Sequence, residues 1–131
     1  MKKRFRRPRP LAVIKLGPYP FDIVLFNDRA KFDAYREWSL GKRLGENALS
    51  KPSECNARTC YLDGGHVLAI GVFTKSYQAM IRELCHAIIS AFDDMQLQLN
   101  FGSSEAFTYL LDHMARECSR YLWPKRKRRG K

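Results

Sequence analysis

Long apolar stretches are missing from this chain of 131 residues. Its unbroken apolar runs stay below ten residues, against the roughly 20 that a helix needs to cross a bilayer, so no membrane contact is expected. No long apolar segment or small-residue cleavage site follows the basic start MKKRFRRPRP, and no secretory signal is expected. The four cysteines, Cys55, Cys60, Cys85 and Cys118, form no C-x-x-C pair, which removes the usual zinc-ribbon and thioredoxin-type motifs. Cys85 and Cys118 fall in segments with helical periodicity, where a free thiol behaves as a small apolar residue. Cys55 and Cys60 flank a strand start and could pair in an oxidising compartment; without an export signal, reduced thiols in a cytoplasm are expected. A glycine-rich phosphate loop is also lacking, because Gly64-Gly65 reads as a hairpin turn. Ser76, Ser90, Ser103 and Ser104 have no evident His or Asp partner, and Asp93-Asp94, adjacent on a helix, diverge too far to act as a carboxylate pair.

Acidic residues are absent from both ends. Lys2, Lys3, Arg4, Arg6, Arg7 and Arg9 crowd the first nine positions, and Lys125, Arg126, Lys127, Arg128, Arg129 and Lys131 the last seven. The net charge is +11, yet the segment between the arms holds 12 basic against 13 acidic residues, a balance of about −1. The positive excess therefore lies wholly in two arms, suited to meeting phosphate backbones or an acidic protein surface; solubility alone is the plainer use. Trp123, beside the C-terminal arm, either packs on the core or stacks on a base.

Hydrophobic residues make up 45% of the chain, enough for a single domain. Local patterns give the order β-β-α-β-β-α-α. LAVIKL (11–16) and FDIVLF (21–26) read as strands separated by the proline turn GPYP. Asn27 or Asp28 caps a helix carrying Phe32, Tyr35 and Trp38, which Gly41 closes. A polar loop follows from Gly41 to Asn56. RTCYLD (58–63) and HVLAIGVF (66–73) flank the glycine pair as a hairpin, and the second strand is apolar enough to lie inside the sheet. A helix over 77–95 places Ile81, Leu84, Ile88, Phe92 and Met95 on one face. Ser103 or Ser104 caps a last helix with the stripe Phe107, Leu110, Leu111, Met114, Cys118 and Tyr121–Leu122, and Pro124 ends it. The expectation is an α+β fold, a mainly antiparallel sheet backed by about three helices, with a basic arm at 1–10, a domain at 11–124 and a basic tail at 125–131.

The helix at 77–95 contains IRELCHAIISAF, close to the zinc-protease pattern H-E-x-x-H. That pattern places two imidazoles one turn apart, able to grip one ion, with a Glu beside the first as general base. Here Glu83 and His86 keep their offset, Glu105 lies 19 residues beyond His86 where a third ligand would fit, and Arg82 stands at the first ligand position. A guanidinium has no acceptor and cannot ligate zinc. Cys85 and His113 point off the relevant faces, while His66 begins a strand and could approach.

The run GGHVLAIGVF, then E-x-x-H, then SEAFTYLL resembles the small zincin-like metallopeptidase-fold proteins of bacteriophages and prophages. Their helices carry H-E-x-x-H and Ser/Asn-Glu-Ala-x-x-Tyr-Leu. FDIVLFNDRAKFDAYREWSLG resembles their first strand–helix unit, so the similarity spans roughly residues 20–122. It implies a zincin-like fold in which Glu83 would be catalytic, and His86 and Glu105 metal ligands, only if the site is active. The Arg82 replacement implies a degenerate site with no resident cofactor, zinc being the one such a fold could take. Arg82 then either pairs internally with Glu105 or Glu83, or points to solvent. The expected role is a binding module in the host cytoplasm for nucleic acid, a nucleoprotein or an acidic host or phage protein. The alternatives are an active metallopeptidase with an unconventional ligand and a virion component with DNA-binding arms. Oligomeric state and the pairing of Cys55 with Cys60 are left open.

Overall fold

A computed structural model describes residues 6–16, 19–45, 56–62, 67–98, 100 and 102–125. The Gly64-Gly65 turn, His66, most of the 41–56 loop, Cys55, and the arm residues Lys2, Lys3, Arg4, Arg126, Lys127, Arg128, Arg129 and Lys131 lie outside them. Seven elements follow in the expected order: β1 (Ala12–Lys15), β2 (Asp22–Phe26), α1 (Arg29–Leu40), β3 (Ala57–Leu62), β4 (Val67–Val72), α2 (Tyr77–Asp94) and α3 (Ser104–Leu122).

Local chemistry explains where the helices start and stop. Asp28 takes extended backbone and its carboxylate accepts from the Lys31 N–H at 3.0 Å, opening α1. Gly41 closes that helix at φ 69°, its N–H reaching the Glu37 carbonyl at 2.9 Å, a left-handed position that glycine takes without steric cost. Ser76 opens α2 by accepting from the Ala79 N–H at 3.1 Å. At α3 the expectation needs correcting. Ser103 occupies the N-cap position but its side chain gives no cap hydrogen bond. Its hydroxyl is engaged by the preceding turn instead, accepting from the Asn100 N–H at 3.0 Å and donating to the Gln98 carbonyl.

The strands form one open sheet in the order β1-β2-β4-β3. The β1–β2 and β3–β4 pairs are antiparallel, but the central β2–β4 pair is parallel, with Val24 opposite Ala69 and Leu25 opposite Ile70. The sheet is therefore mixed. β4 lies inside it as its apolar sequence requires, while β3 occupies the outer edge and leaves β4's other side to β2. Alternation then divides the sheet's two faces. Ile14, Ile23, Leu25, Leu68 and Ile70 meet Leu84, Ile88 and Phe92 of α2 and Met114 and Cys118 of α3. On the opposite face Val24, Phe26 and Ala69 meet Phe32 and Tyr35 of α1. One helix covers one face and two cover the other. Among the described residues no helix is long and apolar enough to cross a membrane.

Candidate functional site

Helix α2 inherits its orientation from its apolar face: with Leu84, Ala87, Ile88 and Ala91 turned to the sheet, Arg82 and His86, one turn apart, face solvent. Glu83, one position on, turns toward edge strand β3. There the Thr59 hydroxyl lies 2.7 Å from the Glu83 carboxylate Oε2 and 3.1 Å from its carbonyl, donating to this residue from across the helix–sheet junction. Thr59 is on the α2 side of β3 because Ala57, Thr59 and Tyr61 alternate with Arg58, Cys60 and Leu62. Glu83 is thus anchored to the strand beside it. Glu105 lies exposed in the first turn of α3, where its charge complements the positive helix end.

These positions decide the fit of a metal. The zincin arrangement needs ligands converging on one ion, and among the described residues no three His, Cys, Asp or Glu side chains do so. Arg82 supplies no acceptor, and Glu83 is hydrogen-bonded to Thr59. The donors among the described residues do not converge on one ion, and no step through a metal is assigned to them. Of the two placements open to Arg82, the internal pair does not occur among the described residues and the side chain is exposed. Ion pairs among the described residues join Lys15 to Asp22, Arg36 to Asp33, Arg116 to Asp112 and Arg120 to Glu117, and Arg82 bridges to neither Glu83 nor Glu105. The stripe that anchors α2 directs Arg82 outward, where water solvates it more cheaply than a buried carboxylate partner would.

Comparison with protein-family models, characterised proteins and solved structures returned no match to this chain.

At the N-terminal side, Arg6, Arg7 and Arg9 are exposed. The Arg7 guanidinium lies 5.2 Å from the centroid of the Trp38 ring, a cation–π contact. Arg7, Tyr35, Trp38, Ser39 and Val67 line a cleft of about 350 Å³ here, so the arm is tied to α1 at its inner end.

At the other end of the domain, α3 stops at Trp123, whose N–H reaches the Ser119 carbonyl at 2.9 Å. Trp123 is half-buried against the larger core, and its ring centroid lies 6.5 Å from that of Tyr77, the first residue of α2. The Ser119 hydroxyl, 3.8 Å from the Met80 sulfur, marks the same helix–helix junction. Tyr121, in the last turn of α3, is exposed, with the Arg120 guanidinium 5.1 Å over its ring, and Lys125 is exposed where the basic tail begins.

Two groups escaped the sequence reading. Asp33 and Arg36, nominally polar members of an exposed helix, are buried beneath α1 and joined at 3.2 Å. Their one legible signal was position: both lie next to Phe32 and Tyr35 on the face turned to the sheet. Arg36 also stands 5.7 Å over the Phe32 ring and beside Cys60 on β3, whose thiol burial pushes up in pKa while Arg36 and Arg58 pull it back. Burial raises the Cys118 thiol further, to about 12. Neither cysteine is activated as a nucleophile, since the thiolate is the reactive form.

Proposed function

We propose that this protein is a phage-type, zincin-like domain whose metal site has been lost and which works by contact, its basic arms holding a polyanionic partner: nucleic acid, a nucleoprotein or an acidic protein surface. The observation that carries this reading is the segregation of charge, with all of the excess positive charge in two arms around a body of about −1. Such arms gain affinity by releasing condensed counterions from a polyanion. The loss of the metal site is supported by Arg82 at the first ligand position and by the engagement of Glu83 with Thr59. The domain in this reading is a scaffold that sets where the arms begin.

The test is removal of residues 1–9 and 125–131. The domain should remain folded, because the two core clusters are built, among the described residues, wholly from positions between the arms. Affinity of the intact chain for nucleic acid should fall steeply as salt rises, and the doubly truncated chain should lose most of its affinity at moderate salt. Equal binding by both forms refutes the reading. Hydrolysis of a small neutral peptide that survives truncation and disappears in Glu83→Gln would establish a peptidase instead.

A further inference from the structure

We infer that the end of the domain where α3 meets the start of α2 is a stacking site for unpaired bases, so that the nucleic acid this protein takes is single-stranded. The inference rests on the reading of the arms as polyanion-binding and adds to it a location and a class of ligand.

Aromatic side chains of a small domain are normally spent on its core, as Phe21, Phe26, Phe32 and Phe92 are here. At this end they are not. Tyr77 is 57% exposed and Tyr121 38%, while Trp123 is half-buried with its ring against Tyr77. The Tyr77 and Trp123 rings are tilted at 43° and form one broad aromatic surface. Trp123 contributes the fixed side of that surface through its contact with the core, which lowers the entropy lost when a base settles on it. Lys125 is exposed just after the helix, and five further basic residues follow in the sequence at 126–131. Helix α2 begins here with no acidic side chain in its first turn, so its positive end adds to the field felt by a phosphate. Glu117 is the carboxylate nearest in sequence, and it is paired with Arg120 at 3.1 Å.

Exposed rings at the point where a cationic stretch of sequence begins suit an unpaired strand: basic side chains take the phosphates while bases lie on the rings. A duplex would satisfy the tail alone, because its bases are already stacked on one another. An acidic protein surface likewise matches the charge and leaves the rings without a partner.

Fluorescence anisotropy of the full chain with dye-labelled oligothymidylate, and with a duplex of equal length, separates these cases. The expected result is tighter binding of the single strand. Tyr77→Ala and Tyr121→Ala should each weaken it about fivefold or more, with duplex affinity and the salt slope unchanged. Both tyrosines are surface residues, and circular dichroism checks that the variants fold. Oligothymidylate should also quench tryptophan emission in Trp38→Phe, where Trp123 is the one remaining tryptophan. If the tyrosine variants bind the single strand as the wild type does, or lose both ligands equally, the stacking site is overturned and the charged arms keep their role. Unchanged emission from that variant on binding places the bases elsewhere and also overturns it. Binding of neither nucleic acid at low salt removes this inference and the nucleic-acid form of the proposed function together.

Discussion

Removing the carboxylate of Asp33 should cost this domain a large part of its stability, while removing its partner as well should restore much of it. Asp33 and Arg36 face each other at 3.2 Å with side-chain exposures of 11% and 8%. At an effective dielectric of about 20, opposite charges at that separation attract by roughly 5 kcal/mol, before either is charged for leaving water. Asp33→Ala keeps the guanidinium buried and removes that attraction, a change that typically costs about 3–5 kcal/mol. Arg36 retains the Phe32 ring and further partners, which places the expectation near 3 kcal/mol. Asp33→Ala combined with Arg36→Met instead leaves an apolar side chain of similar length against Phe32, and should lie within about 1 kcal/mol of the wild type. Urea denaturation reads both, with the slope unchanged if only stability moves. On heating, the single variant should melt roughly 10 °C lower. A single variant within about 0.5 kcal/mol of wild type, or a double variant worse than the single, would refute the account of a buried pair stabilised by mutual compensation.

Three further outcomes are expected. Arg82→Ala should move the urea midpoint by no more than about 0.5 kcal/mol equivalent, as for any solvated surface side chain; a loss of several kcal/mol would restore an internal partner for Arg82. Protein purified without chelator should carry well under one zinc per chain by elemental analysis, and tightly held stoichiometric zinc would show that other donors complete the site. Cys118, whose thiol is raised to about 12, should resist iodoacetamide in the folded protein at pH 8 and label at once in denaturant. Because the raised value disfavours the thiolate, its native labelling should grow only as pH climbs toward that value; fast labelling at pH 8 would contradict its burial.

The elements and their ends were legible because their causes are local. Asp28 and Gly41 bound α1 within one turn of chain, Ser76 opens α2 three residues from the N–H it holds, and apolar spacing marks Leu84, Ile88, Met114 and Cys118 as core without reference to anything distant. The evenly apolar run of β4 foretold an interior strand for the same reason. Charge in the arms is likewise a property of composition. What no window of sequence holds is the choice of distant partner. β2 and β3 are both β-rich, and only assembly of the whole sheet put β2 parallel beside β4 and β3 antiparallel on its far side. Asp33 and Arg36 look like surface charges until the packing of α1 over β2, β4 and β3 removes water from them. Glu83 carries the spacing of a catalytic base in the sequence; Thr59, 24 positions earlier, decides that its carboxylate is held against the sheet edge. Tyr77 and Trp123 lie far apart along the chain, and their shared surface exists because α3 runs back along α2 and ends at its first turn. Local free energy sets which residues form helix or strand, whereas burial and pairing are paid for only when remote segments exclude water together, and that is a property of the folded whole.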